Sequence, residues 1–295
     1  MNPFDWRGPA FLLFFAGLSA IAITFLIVYR RVTEDGPPTN LDLSDPYLLA
    51  YLRAGAKEAV CVGIVSLLDR ELLVADEETL RWNRPDADRF VRRPIERELL
   101  DAFKAPRDIR DVLSKNVCQN ACDEYAQTLT TSGALPNDDV RSARRTRLAV
   151  VFGVLLVVAS IKILIGLSRN APVGFLFAMT AAASVVAALT YNPFRTRRGD
   201  RLLADAQLLF AGLRSRAATL RGGRGDSDVT MLAAVFGVGA LPSGEFPFVA
   251  ALFPRAHQRA QSGTGCGASC SSGSSSSCSG GGGGSGCGGC GGGGD

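Results

Sequence analysis

One histidine, His257, serves the whole 295-residue chain. No nucleophile accompanies it in a recognisable pattern, so it reads as a surface residue rather than a metal ligand. H-E-x-x-H, G-x-S-x-G and G-x-x-x-x-G-K-[ST] do not occur. G-x-G-x-x-G is met only inside a glycine-rich C-terminal stretch, with no strand or helix pattern around it. Carboxylates are scattered among arginines, as on a solvated face. These absences remove the usual grounds for an enzyme, and no catalytic residue is expected. Lys and Arg are missing from Cys118–Thr131, which instead carries Asp123 and Glu124. A helix that reads the major groove needs side chains that reach base edges, with basic neighbours on phosphates. Nucleic acid is therefore not an expected partner. Asp and Glu are also absent from the three longest apolar runs.

Those runs are the strongest signal present. They cover Pro9–Tyr29, Leu148–Leu167 and Pro172–Tyr191. Each is about 20 residues, the length a helix needs to cross a bilayer core. Arginine lies at one set of ends: Arg30 and Arg31, then Arg141, Arg144, Arg145 and Arg147, then Arg195, Arg197, Arg198 and Arg201. The other ends have Arg7 and Arg169. Basic residues are retained on the cytoplasmic side of short flanking loops. The expected topology is multi-pass, with the N-terminus outside and the C-terminus cytoplasmic. A cleaved signal peptide fits the first run poorly, because the run is too long and no A-x-A site follows. Lys162 is the one charge inside a run. Its long stem suits snorkelling to the interface better than an ion pathway. The Ala- and Ser-rich third run suits close helix packing, within the chain or in a homo-oligomer.

The runs divide the chain into an anchor (1–31), a cytoplasmic helical domain (32–147), a transmembrane hairpin (148–191), a juxtamembrane segment (192–261) and a tail (262–295). The domain is expected to fold by itself. Asp45 or Ser44 can cap a helix with Pro46 at its first position, running to about Arg53, where Gly55 breaks it. A second helix is expected from Ala56 to about Arg70. A strand at Leu72–Ala75 with a return at Leu80–Trp82 follows. Helices are then expected over Pro94–Phe103, Pro106–Ser114 and Cys118–Thr131. Helix, helix, short strand is the pattern of a winged-helix module, seen at 41–82 and again at 92–138. Cys118 and Cys122, one turn apart, read as small core residues. Beyond the hairpin, Gly239-Ala240-Leu241-Pro242 echoes Gly133-Ala134-Leu135-Pro136. Arg201–Leu220 reads as amphipathic, with Leu202, Ala206, Leu209 and Leu213 along one stripe that faces the domain or the lipid. A helix over Asp228–Val238 follows.

The tail has 16 Gly, ten Ser and five Cys in 34 positions, too little apolar surface to offset ordering. Cys266/Cys270 and Cys287/Cys290 form two close pairs, as a tetrahedral zinc site requires, with Cys278 outside both. A flexible linker and a substrate for modification remain alternatives. No other cofactor is expected.

The segments NPFDWRGPAFLLFF, DPYLLAYLRAGAKEAV and LPSGEFPFVAALFP, with the Gly/Ser/Cys tail, resemble an uncharacterised bacterial multi-pass membrane-protein family. That family has a conserved domain of unknown function and often a Gly- and Cys-rich C-terminus. The resemblance covers most of the chain and implies an inner-membrane location. It carries over no catalytic residue. Two functions follow: a mainly α, membrane-anchored adaptor that docks a protein, or a metal- or thiol-handling protein that works through its tail.

Overall fold

The computed structural model describes residues 8–34, 41–76, 79–114, 117–168, 178–182, 184–186, 193–223, 225, 227–256 and 258. The protein is mainly helical. Two long helices, α1 (Gly8–Glu34) and α7 (Asp138–Ser168), stand apart from a cluster of short ones. They run antiparallel. Glu34 at the end of α1 meets Arg144 near the start of α7, and Phe11 near the start of α1 lies under the ammonium of Lys162. Phe11, Phe15, Leu155 and Ala159 form the seam between them, and Met179 of the third run packs against it.

Of the three apolar runs, one qualifies by length and composition among the described residues: Phe11–Glu34, with mean hydropathy 2.6. The second lies within α7, whose first three turns carry four arginines and whose apolar part includes Lys162. The third is described only at 178–182 and 184–186. The outward faces of both long helices are apolar, with Leu13 at 76% exposure and Leu164 at 71%.

The short helices grow from the expected local signals. Asp45 caps α2 (Pro46–Ala54), its carboxylate accepting from the Tyr47 amide, and Pro46 begins the helix. Gly55, with φ +83°, ends it; a left-handed backbone there favours glycine. Next comes α3 (Ala56–Asp69). Strands β1 (Leu73–Asp76) and β2 (Thr79–Trp82) form an antiparallel hairpin. Then come α4 (Pro94–Ala102), β3 (Arg107–Asp108), α5 (Ile109–Ser114) and α6 (Gln119–Thr131). β3 pairs with β2, in register Thr79 with Asp108. The hairpin of the first proposed winged-helix copy thus shares a sheet with the second, and the two do not stand as separate modules.

The larger difference concerns domain boundaries. After the third run come α8 (Arg197–Leu209), α9 (Ala211–Ser215), α10 (Ser227–Phe236) and α11 (Pro247–Leu252). These do not form a separate juxtamembrane piece. One hydrophobic core contains Leu49, Ile64 and Leu99 from between the two long helices and Leu203, Leu232, Phe246 and Val249 from after the second. α10 packs on α2 and α3, with Val229, Leu232, Ala233, Ala234 and Val235 all fully buried. The domain is discontinuous, closed by a helix that follows α7 and the third apolar run. The reason is compositional: α10 is apolar nearly all round, and such a helix must be buried.

The amphipathic stripe also shifts. Leu203, Ala206 and Leu213 are buried, whereas Leu209 is 69% exposed. Leu209 is the last residue before the helix ends at Phe210, on a face of α8 turned away from Leu203. The segment packs on the domain. The echoed tetrapeptides differ in backbone: Gly133 turns left-handed at φ +73°, while Val238–Ala240 is a 3₁₀ turn. Both deliver a buried leucine, Leu135 and Leu241.

Candidate functional site

The arginines at the ends of the apolar runs build the most organised polar site among the described residues. Four consecutive residues carry the chain from the third run into the domain. Pro193 gives its carbonyl to Arg144 Nη1 at 3.0 Å. Phe194 lies against Gly55, and its ring centroid is 6.5 Å from that of Tyr51. Arg195 donates to the carbonyl of Arg53 at 2.6 Å and to Asp200 at 2.8 Å. The Thr196 hydroxyl sits 2.7 Å from the Gly133 carbonyl and caps α8 by accepting from the Gly199 amide. Gly199 is required there, because a Cβ would strike the Ala134 carbonyl. These contacts join the ends of α2 and α6 to the start of α8.

Glu34 closes the other half. Its side chain is 8% exposed. Arg30 Nε donates to one carboxylate oxygen at 3.1 Å and Arg144 Nε to the other at 2.8 Å. Arg144 Nη2 is also 2.7 Å from Glu34, angled for an ion pair rather than a hydrogen bond. Arg30 reaches on to the Arg195 carbonyl at 3.2 Å and to Asp200 at 3.4 Å. Three arginines and two carboxylates therefore tie α1, α7 and the 193–196 segment to the domain. Arg144 is 2% exposed. A guanidinium so buried is retained only when paired and hydrogen-bonded. By position in the sequence these arginines form one topological belt. The structure sorts them: Arg30, Arg144 and Arg195 turn inward, while Arg31 and Arg145 are exposed. Glu34 was the available signal, an acid one turn after Arg30.

Two further polar features lie in the domain. Tyr47 donates to Glu96 at 2.5 Å, and Arg70 reaches the same oxygen at 3.0 Å and the Phe90 carbonyl. This network pins α2, α3 and α4 together, with the Tyr47–Glu96 bond buried and Arg70 at the edge. Burial and the Glu96 charge hold the Tyr47 phenol well above its ordinary range. A cleft of about 150 Å³ opens between α2, α3, α5 and α6, lined by Tyr51, Lys57, Cys118, Cys122 and Asp123 among others.

The cysteines of the domain are buried or nearly so, as expected of Cys118 and Cys122. Burial pushes the Cys61 and Cys118 thiols up to about 12 and the Cys122 thiol to about 11. Glu58 adds to the shift at Cys61 and Glu98 at the other two. The thiolate is the nucleophile, so these thiols are expected to be inert. With residues 262–295 removed, alkylation at pH 8 should be slower than for an ordinary thiol by roughly 100-fold. The linkage has a definite sign. Folded values above the unfolded value of 9.0 favour the neutral thiol in the native state. That stability is complete below pH 9 and is lost as pH rises from 9 towards 11–12. Denaturant titrations should show stability falling by about 1.4 kcal/mol per pH unit for each thiol that ionises only on unfolding. A flat profile from pH 8.5 to 10.5 would contradict the burial.

Cys266, Cys270, Cys287 and Cys290, the expected zinc ligands, lie outside the described residues, as do Cys278 and His257. No group of three or more metal-ligating side chains occurs among the described residues. No family model, curated protein or solved structure matches the chain.

Proposed function

We propose that this is a non-enzymatic, membrane-anchored adaptor whose helical domain is held against a bilayer and docks a protein partner. The observation that carries this reading is the arginine–carboxylate junction around Glu34. It binds the ends of three apolar segments to one domain, so the domain's position is set by the segments. The apolar outward faces of α1 and α7 support crossing by both, and the packing of Met179 on their seam supports a third crossing. The arginine bias supports an outside N-terminus and a cytoplasmic domain, and the family resemblance supports a bacterial inner membrane. The order α4, β3, α5, α6, with the hairpin on β3, supports a winged-helix-like reading of that half of the domain. A homo-oligomer would use the small residues of the third run.

The alternative places the activity in the tail, with zinc or thiol chemistry at Cys266, Cys270, Cys287 and Cys290. One comparison separates the two. The intact chain and a chain ending at Gln261 are purified from membranes by affinity, with metal analysis on both. An adaptor keeps the same partner after truncation. Loss of the partner together with bound zinc would move the function to the tail. Topology reporters near Asp76 and, in the intact chain, after Asp295 should both register the cytoplasm. Signal from the outer side at either site rules out the stated orientation.

A further inference from the structure

Arg30, Arg144 and Arg195 of the junction each pair with a carboxylate, whereas Arg147 beside them pairs with none among the described residues. Its guanidinium lies over the ring of Tyr29, 4.3 Å from the centroid. Both residues are half-buried. Among the described residues Arg147 faces no carboxylate, while Arg144, one turn earlier, is fully engaged by Glu34. Stacking on an aromatic face orients a guanidinium and leaves its N–H edges open. The pair also sits at a defined level. Arg147 immediately precedes the second apolar run, and Tyr29 is the last residue of the first. In a bilayer that level belongs to the lipid headgroups.

We propose that Arg147, oriented by Tyr29, binds the phosphate of an anionic lipid headgroup. A partly desolvated, pre-oriented cation without a protein counter-ion requires an anion that carries several acceptors. A phosphate offers oxygens in the bidentate spacing that a guanidinium fits. The site differs from a diffuse basic belt because one arginine is held in place, while Arg31 and Arg145 are exposed and unsupported by a ring. The inference rests on the membrane reading above.

The test uses the full chain in nanodiscs of equal phosphatidylcholine and phosphatidylglycerol, with retained lipid counted by native mass spectrometry. Arg147→Gln should lower retained phosphatidylglycerol about ten-fold, the loss of a bidentate charge-assisted contact that an exposed arginine does not make. Arg147→Lys, which keeps the charge but loses the flat fork, should fall between. Arg31→Gln and Arg145→Gln should change little. Thermal unfolding of all four should match the unmodified chain. Retention unchanged in Arg147→Gln, or reduced equally in Arg31→Gln and Arg145→Gln, overturns a local site. So does release of the lipid by inorganic phosphate, which would make the site one for the free anion. A chain that stays out of nanodiscs sinks the membrane reading and the site together; incorporation without lipid preference sinks the site alone.

Discussion

A fragment covering residues 40–147 should fail to fold cooperatively, although it holds the domain's helices α2 to α6 and its whole sheet. The missing part is α10, which comes after the long helices yet sits on α2 and α3. Val229, Leu232, Ala233, Ala234 and Val235 are each fully buried. Burying a valine or leucine side chain contributes about 1.5–3 kcal/mol, and a domain's whole stability is about 5–15 kcal/mol. Loss of α10 therefore removes an amount comparable to the total and bares an apolar groove. Circular dichroism should show some helix without a sharp thermal transition. Joining 193–256 to the fragment should restore the transition, and Leu232→Asp in the joined protein should abolish it again, because an unpaired carboxylate cannot be buried there. Sharp, reversible unfolding of 40–147 alone would refute the shared core.

The second large effect is expected at Arg144. Arg144→Ala strips Glu34 of one of its two guanidinium partners and releases the Pro193 carbonyl. Breaking a buried pair by removing one member costs about 3–5 kcal/mol, because the remaining charge stays in a poor solvent. The effect should be partly repaired by Glu34→Gln in the same chain, which removes the stranded charge. Arg145→Ala, one residue away and exposed, should stay within about 0.5 kcal/mol. Thermal melts of the four detergent-solubilised proteins make the comparison. Equal effects at 144 and 145 would show that the junction is a surface belt after all.

Both predictions turn on pairings between residues far apart in the chain, and the boundary of legibility lies there. Local signals in the sequence were sufficient for most elements. Asp45 with Pro46 marks the start of α2, and Gly55 its end, because caps and left-handed turns depend on a few adjacent residues. The strand and its return follow from local pattern, as does the helix that buries Cys118 and Cys122. Long apolar runs are legible for the same reason: length and composition need no partner.

Tertiary structure alone decided where the apolar faces go. Periodicity shows that α10 is apolar but not that α2 and α3 receive it across α7 and the third apolar run. The stripe through Leu202 and Leu209 follows a face of α8 turned away from buried Leu203, so packing leaves Leu209 in solvent. The arginines are the sharpest case. By composition Arg144, Arg145 and Arg147 are equivalent, three cations before one apolar run. In the fold one is buried on Glu34, one is exposed and one lies over Tyr29. Charge placement relative to an apolar run is a local property and can be read from the chain. Whether each charge is neutralised depends on which neighbour the packing brings within about 3–4 Å, and Coulomb attraction there outweighs the bulk preference for water only when geometry and desolvation agree.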